Sequence, residues 1–135
     1  MVDVTMFVIA FGGDDPGPAG YYVLLHSGGK EKELSCRKTV STRRRMEAEA
    51  VIEAFLSLKT ECNVTVVTES RFLCTYVGNY YNASKIKGLK YRALISDCID
   101  AMSKCGRNIK FSFGGNDREY QHYVQKCAEA YGLVG

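Results

Sequence analysis

A chain of 135 residues, 46% hydrophobic and 24% charged, has the make-up of an ordinary globular domain and excludes a disordered, collagen-like or coiled-coil chain. Its formal net charge of +3 is below that of a dedicated nucleic-acid-binding domain, so charge alone names no partner. Apolar runs fall short of the roughly 20 residues of a membrane span, and Asp3 stands where a secretory leader carries Lys or Arg. The expectation is one core and one domain over residues 1–135, intracellular (cytoplasmic or nuclear) and with no membrane partner.

In chain order, "DVTMFVIAF" (3–11) is rich in β-branched and aromatic residues and stops at Gly12-Gly13, which predicts a strand and a turn. "GYYVLLHSGG" and "KEKELSCRKTV" meet at Gly28-Gly29, a hairpin signal, so the first three strands form a meander. From Ser41 the apolar period becomes helical: Met46, Ala50, Val51, Ala54, Phe55 and Leu58 recur on one face, with Ser41 or Thr42 available as a cap. "NVTVVTES" (63–70) reads as a strand inside the sheet. A helix is expected from about 71 to 81, then a polar, basic connector, then a helix over 91–104 closed by Gly106. "NIKFSF" alternates as a strand, and a terminal helix ends at Gly132. The order β-β-β-α-β-α-α-β-α implies an α/β fold, a mixed five-stranded sheet with its first three strands antiparallel and helices covering it.

Six cysteines (36, 62, 74, 98, 105 and 127) are scattered without a C-x-x-C pair, and His26 and His122 are the only histidines, so reduced thiols are expected and zinc is not. The sequons at Asn63 and Asn82 are discounted for want of a leader.

The order of elements and three stretches in it resemble the type-1 ribonuclease H family. "GGDDPGPAGYYVLL" is similar to that family's Asp-Gly loop, Asn-Pro-Gly-Pro turn and second strand. "TRRRMEAEAVIEAFLSL" resembles its Thr-Asn-Asn-Arg-Met-Glu-Leu helix start, and "VVTES" its Thr-Asp-Ser strand end. The resemblance runs over almost the whole chain and implies the ribonuclease H-like fold. It implies hydrolysis of the RNA strand of an RNA/DNA hybrid by two magnesium ions about 3.5 to 4 Å apart. Hard cations need oxygen ligands, and the family supplies them as acids from the first strand, the first helix, the fourth strand and the last helix.

Matching those positions places Phe11 at the first, Glu47 at the second, Glu69 (for Asp) at the third and Gln125 at the fourth. Asp14 and Asp15, in a turn shortened by about two residues, are the alternatives to Phe11. Gly115 replaces the family's mobile histidine, and His122 reads as a surface residue. Two charges are missing from a site for two dications, so no catalytic residue and no cofactor are expected; Glu47 and Glu69 remain as weak metal ligands, with Mg²⁺ only if activity persists. The resemblance also implies contact with a nucleic acid. Here the asparagines before "RME" are Arg43 and Arg44, followed by Arg45, with Arg37 and Lys38 upstream. Lys85, Lys87 and Lys90 form a second basic stretch in the connector. Such residues suit phosphates better than 2′-hydroxyls. The expected role is a catalytically inactive module binding RNA or RNA/DNA hybrid, or acting as a scaffold. An active Mg-dependent hydrolase with an altered carboxylate set is one alternative. A protein-binding module using Tyr80, Tyr81, Tyr120, Tyr123 and Tyr131 is the other.

Overall fold

Val4, Met6 and Val8 on one face of strand β1 (Val2–Phe11), and Phe7 on the other, are all buried, so this strand needs cover on both sides. The computed structural model describes residues 1–79, 91–114 and 118–131, the last stretch without the side chains of residues 127, 128, 130 and 131. In it β1 lies at the centre of a five-stranded sheet of order β3-β2-β1-β4-β5, with β2 Gly17–Ser27, β3 Lys30–Ser41, β4 Cys62–Thr68 and β5 Gly106–Phe113. β1, β2 and β3 pair antiparallel, whereas β4 runs parallel to both β1 and β5. The Gly28-Gly29 hairpin has φ of 54° and 81°, the left-handed values that a two-residue turn requires and that glycine supplies without strain. The edge strand β3 carries exposed Lys30, Glu31, Lys32 and Glu33, charges that discourage edge-to-edge pairing.

Two helices, α1 (Arg43–Leu56) and α2 (Arg92–Cys105), cover one face, where Met6, Val23, Val66, Phe55, Ile95 and Met102 join in the larger core. The third, α3 (Arg118–Tyr131), covers the other face with Tyr120 and Tyr123 packed on Phe7, Tyr22, Leu24 and Val67. The Phe7 and Tyr123 rings lie 4.6 Å apart.

Two details depart from the sequence reading. The helix expected over 71–81 does start at Arg71, but it continues as a π-helical turn, Leu73–Val77, closed by the Gly78 N–H donating to the Leu73 carbonyl at 2.7 Å; residues 80 and 81 lie outside the described residues. A Cβ at Gly78 would come within 2.7 Å of the Phe111 Cβ on β5, so the widened turn ends where bare backbone lies directly on the sheet. Gly106 has the extended backbone of β5, not a left-handed cap, and α2 passes straight into that strand.

Candidate functional site

The turn after β1 sets the entry to α1. Gly12, at φ 139°, reverses the chain so that the Gly13 carbonyl accepts the Arg43 N–H at 3.1 Å, while Thr42 Oγ1 accepts the Arg45 N–H at 3.3 Å. Two of the orphan donors of the first turn are thereby satisfied, which fixes where α1 begins. One turn on, Glu47 points back toward the sheet.

A cavity of about 350 Å³ opens there, at the C-terminal ends of β1 and β4 and beside the first turns of α1 and α3. Its polar groups come from Glu47, Thr68, Glu69, Ser70 and Tyr120 and from three arginines, Arg43, Arg44 and Arg71. The bend after β4 is held locally. Thr68 Oγ1 accepts the Ser70 N–H and Ser70 Oγ accepts the Leu73 N–H, both at 3.1 Å, so Glu69 is carried on a fixed backbone with an exposed side chain. Tyr120 is buried, and its hydroxyl donates to the Val8 carbonyl at 3.4 Å.

Glu47 is 4% exposed, and among the described residues its Oε1 accepts no hydrogen bond. Arg44 Nη1 and Arg43 Nε stand 3.8 and 3.9 Å from that oxygen, close enough for attraction and too far for hydrogen bonding. Burial pushes the Glu47 carboxyl up from 4.5 to about 7, with Arg44 and then Arg43 pulling the other way.

The sequence-predicted site residues do not all meet here. Phe11 does not line the cavity; Ala10, one residue earlier, does. Strand alternation is the reason: Val4, Met6, Val8 and Ala10 share the α1 face, and the Phe11 ring instead lies on Gly20, where a Cβ would meet it at 2.6 Å. Gln125 is likewise displaced. It is exposed on α3 and bonds to Glu129 at 3.3 Å, whereas Tyr120, five residues earlier, faces the cavity. From β1 and α3 the nearest residues in sequence that line the cavity are instead Ala10 and Tyr120. A methyl group and a phenol share that lining with Glu47 and Glu69.

Asp14 and Asp15 are exposed and lie in a separate hollow with Arg45. His122 is exposed on α3 beside the Tyr123 ring and does not line the cavity. Lys38 is engaged by Glu49, with its Nζ 3.0 Å from one carboxylate oxygen, and Arg37 is exposed on β3. Lys85, Lys87, Lys90, Tyr80, Tyr81 and Gly115 lie outside the described residues. Tyr120 and Tyr123, expected as exposed aromatic anchors, are buried because they are the sheet-facing side of α3. Sequence reading missed Arg71, which completes the trio of arginines and lies over the Phe113 ring at 5.5 Å; a single basic residue in a predicted helix gave no signal.

Would the residues present hold a pair of magnesium ions? Among the described residues, three guanidinium groups share the wall with two carboxylates, Glu47 and Glu69, and no three of His, Cys, Asp and Glu converge. Magnesium is retained chiefly by carboxylates in octahedral geometry. The donor set of this cavity does not fit two dications, and it does fit an anion.

The described cysteines are unbridged, and burial pushes the Cys98 thiol up to about 12, an inert donor toward the Ala48 carbonyl at 3.5 Å.

The RNase H family model matches residues 4–113. A ribonuclease H of Ralstonia nicotianae is 39% identical over 90 residues, a stretch that is 67% of this chain and 60% of that protein. The match thus spans about 60% of the relative's length. Among solved structures, LC9-RNase H1, described as a type 1 RNase H with the type 2 active-site motif, superposes with a TM-score of 0.74 at 17% identity, covering 94% of this chain and 70% of that one. LC11-RNase H1 in complex with RNA/DNA hybrid gives 0.72 at 20% identity, covering 92% of each chain.

Proposed function

This chain belongs to the ribonuclease H family, and from that premise we propose that it is a non-catalytic member, a single domain that binds the backbone of RNA or of an RNA/DNA hybrid, or brings it to a complex as a scaffold. One observation carries the proposal. In the cavity where the family's four acids would converge, Ala10 and Tyr120 offer no carboxylate and Arg43, Arg44 and Arg71 bring three positive charges. Carboxylates would hold the metal ions that activate water for attack on a phosphodiester, and with two of them absent from this lining the chemistry the arginines supply is recognition.

The same arginines suit that recognition. Arg43 and Arg45 are exposed and Arg44 half-buried at the start of α1, a helix end that already favours anions. Guanidinium groups take phosphate oxygens bidentately and lack the acceptor that a 2′-hydroxyl requires, so the backbone is held with little preference for hybrid over single strand. The hybrid complex formed by LC11-RNase H1, a protein of the same fold, is compatible with this surface use.

A second reading has one observation in its favour: the curated relatives are named ribonuclease H, and an active chain would be a metal-dependent hydrolase of the RNA strand. Both are tested by incubating the pure protein with labelled RNA/DNA hybrid in Mg²⁺ and in Mn²⁺ and, in parallel, measuring binding across a salt series. Binding that falls steeply with salt and no cleavage support the proposal. Cleavage that Glu47→Gln abolishes refutes it.

A further inference from the structure

Beside the arginine-lined cavity lies a second one of about 300 Å³, the lower end of the size range of small-molecule sites. Its character is different. Phe72, Tyr76, Tyr91 and Ile95 make most of its wall, yet Arg44 and Arg71 line it as well as the first cavity. The aromatic groups form one cluster: the Phe72 ring lies 5.9 Å from Tyr76 and 5.6 Å, edge-on, from Tyr91. The Arg44 guanidinium lies over the Phe72 ring at 5.1 Å. Phe72 itself is buried, whereas Tyr76 and Tyr91 are half-buried and line the cavity.

The order along the chain explains the juxtaposition. The bend after β4 delivers Arg71 and Phe72 as neighbours, and the π-helical turn brings Tyr76 round beside Phe72. Tyr91 arrives from the start of α2. The result is a positive compartment and an aromatic compartment separated by two shared arginine side chains. A nucleotide has the same division, an anionic phosphate joined through a sugar to a flat aromatic heterocycle.

We propose that the two cavities together seat one unstacked nucleotide of a single-stranded nucleic acid, its phosphate on Arg44 and Arg71 and its base against Tyr76 and Tyr91. This rests on the nucleic-acid-binding reading above and adds to it. A backbone-only module is indifferent to whether bases are present, whereas this site requires one. Base–aromatic stacking tolerates every base, because each has a π-face, so a preference for bases over no base is expected without a strong preference among them. Duplex bases are already stacked, so a single strand is the better ligand.

The test compares two fluorescent single-stranded oligonucleotides of equal length and charge, one an ordinary DNA strand and the other carrying abasic sites throughout. On the wild-type chain the ordinary strand is expected to bind roughly tenfold more tightly. Tyr76→Leu is expected to cut that preference several-fold, with an unchanged melting temperature showing that the variant is folded, and Tyr76→Phe retains it. Arg71→Gln weakens both strands. Equal wild-type affinity for the two strands overturns the nucleotide seat and leaves backbone binding standing. Binding of neither strand overturns both.

Discussion

Glu47→Gln separates a buried, protonated acid from a charged one held by arginines. In the fold the Glu47 carboxyl is pushed from 4.5 to about 7, so between those pH values the folded chain keeps a proton that the unfolded chain has lost. The stability tied to that proton is fully present below pH 4.5 and is lost as pH rises through about 7. At about 1.36 kcal/mol per pH unit, the separation between 4.5 and about 7 makes the loss about 3 kcal/mol at pH 8. Glutamine has nearly the same shape and no proton to lose, so the variant gains about 3 kcal/mol relative to wild type between pH 4.5 and pH 8, roughly 10 °C in melting temperature for a chain of this length. Thermal and urea unfolding of both proteins at the two pH values measure it. The described side chains do not fit a pair of dications, so adding Mg²⁺ is expected to leave the difference unchanged. A variant effect that is the same at both pH values means that Glu47 is ionised in the fold and the arginine attraction outweighs burial.

Three further outcomes follow from particular contacts. Thr42→Ala removes the acceptor for the Arg45 N–H and is expected to cost about 1 kcal/mol in unfolding free energy, with Thr42→Ser retaining it. Gly78→Ala places a methyl 2.7 Å from the Phe111 Cβ and is expected to destabilise by about 1–3 kcal/mol; an unchanged urea midpoint would show that the π-helical turn relaxes freely. Arg71→Gln is expected to lower the magnitude of the slope of log K against log[salt] for single-stranded DNA by about 0.7, one phosphate contact, whereas Lys38→Gln, whose amine is engaged by Glu49, changes it less.

The fold was legible because each element announces itself by period. The β1 run, the Gly28-Gly29 hairpin and the helical recurrence of Met46, Ala50 and Phe55 require nothing beyond local pattern, and the parallel β4 follows from the helical crossover before it. The site was legible only to the nearest residue or turn. Taking the residue just before the glycine pair selected Phe11, and a slip of one along a strand exchanges the sheet's faces. The alternation Val4, Met6, Val8, which must face α1, carried the signal for Ala10. On α3 the resemblance was matched at "VQKCA" (124–128), which selected Gln125. The spacing of Tyr120, Tyr123 and Val124, three and four apart, marks the sheet-facing side and puts Gln125 away from it. At neither place does the expected or the observed residue carry a negative charge. The role of Arg71 was invisible, because its place depends on the bend after β4 and on the Phe113 ring across the gap, contacts that no local pattern encodes.

Calorimetric titration of the metal-free chain with Mg²⁺ and Mn²⁺, repeated on an Ala10→Asp, Tyr120→Asp, Arg71→Gln variant, addresses the central claim most directly. The account expects no saturable uptake by the natural chain and measurable uptake once two carboxylates replace the methyl and the phenol and one guanidinium is gone. Saturable binding of two ions per natural chain, lost on Glu47→Gln, contradicts it.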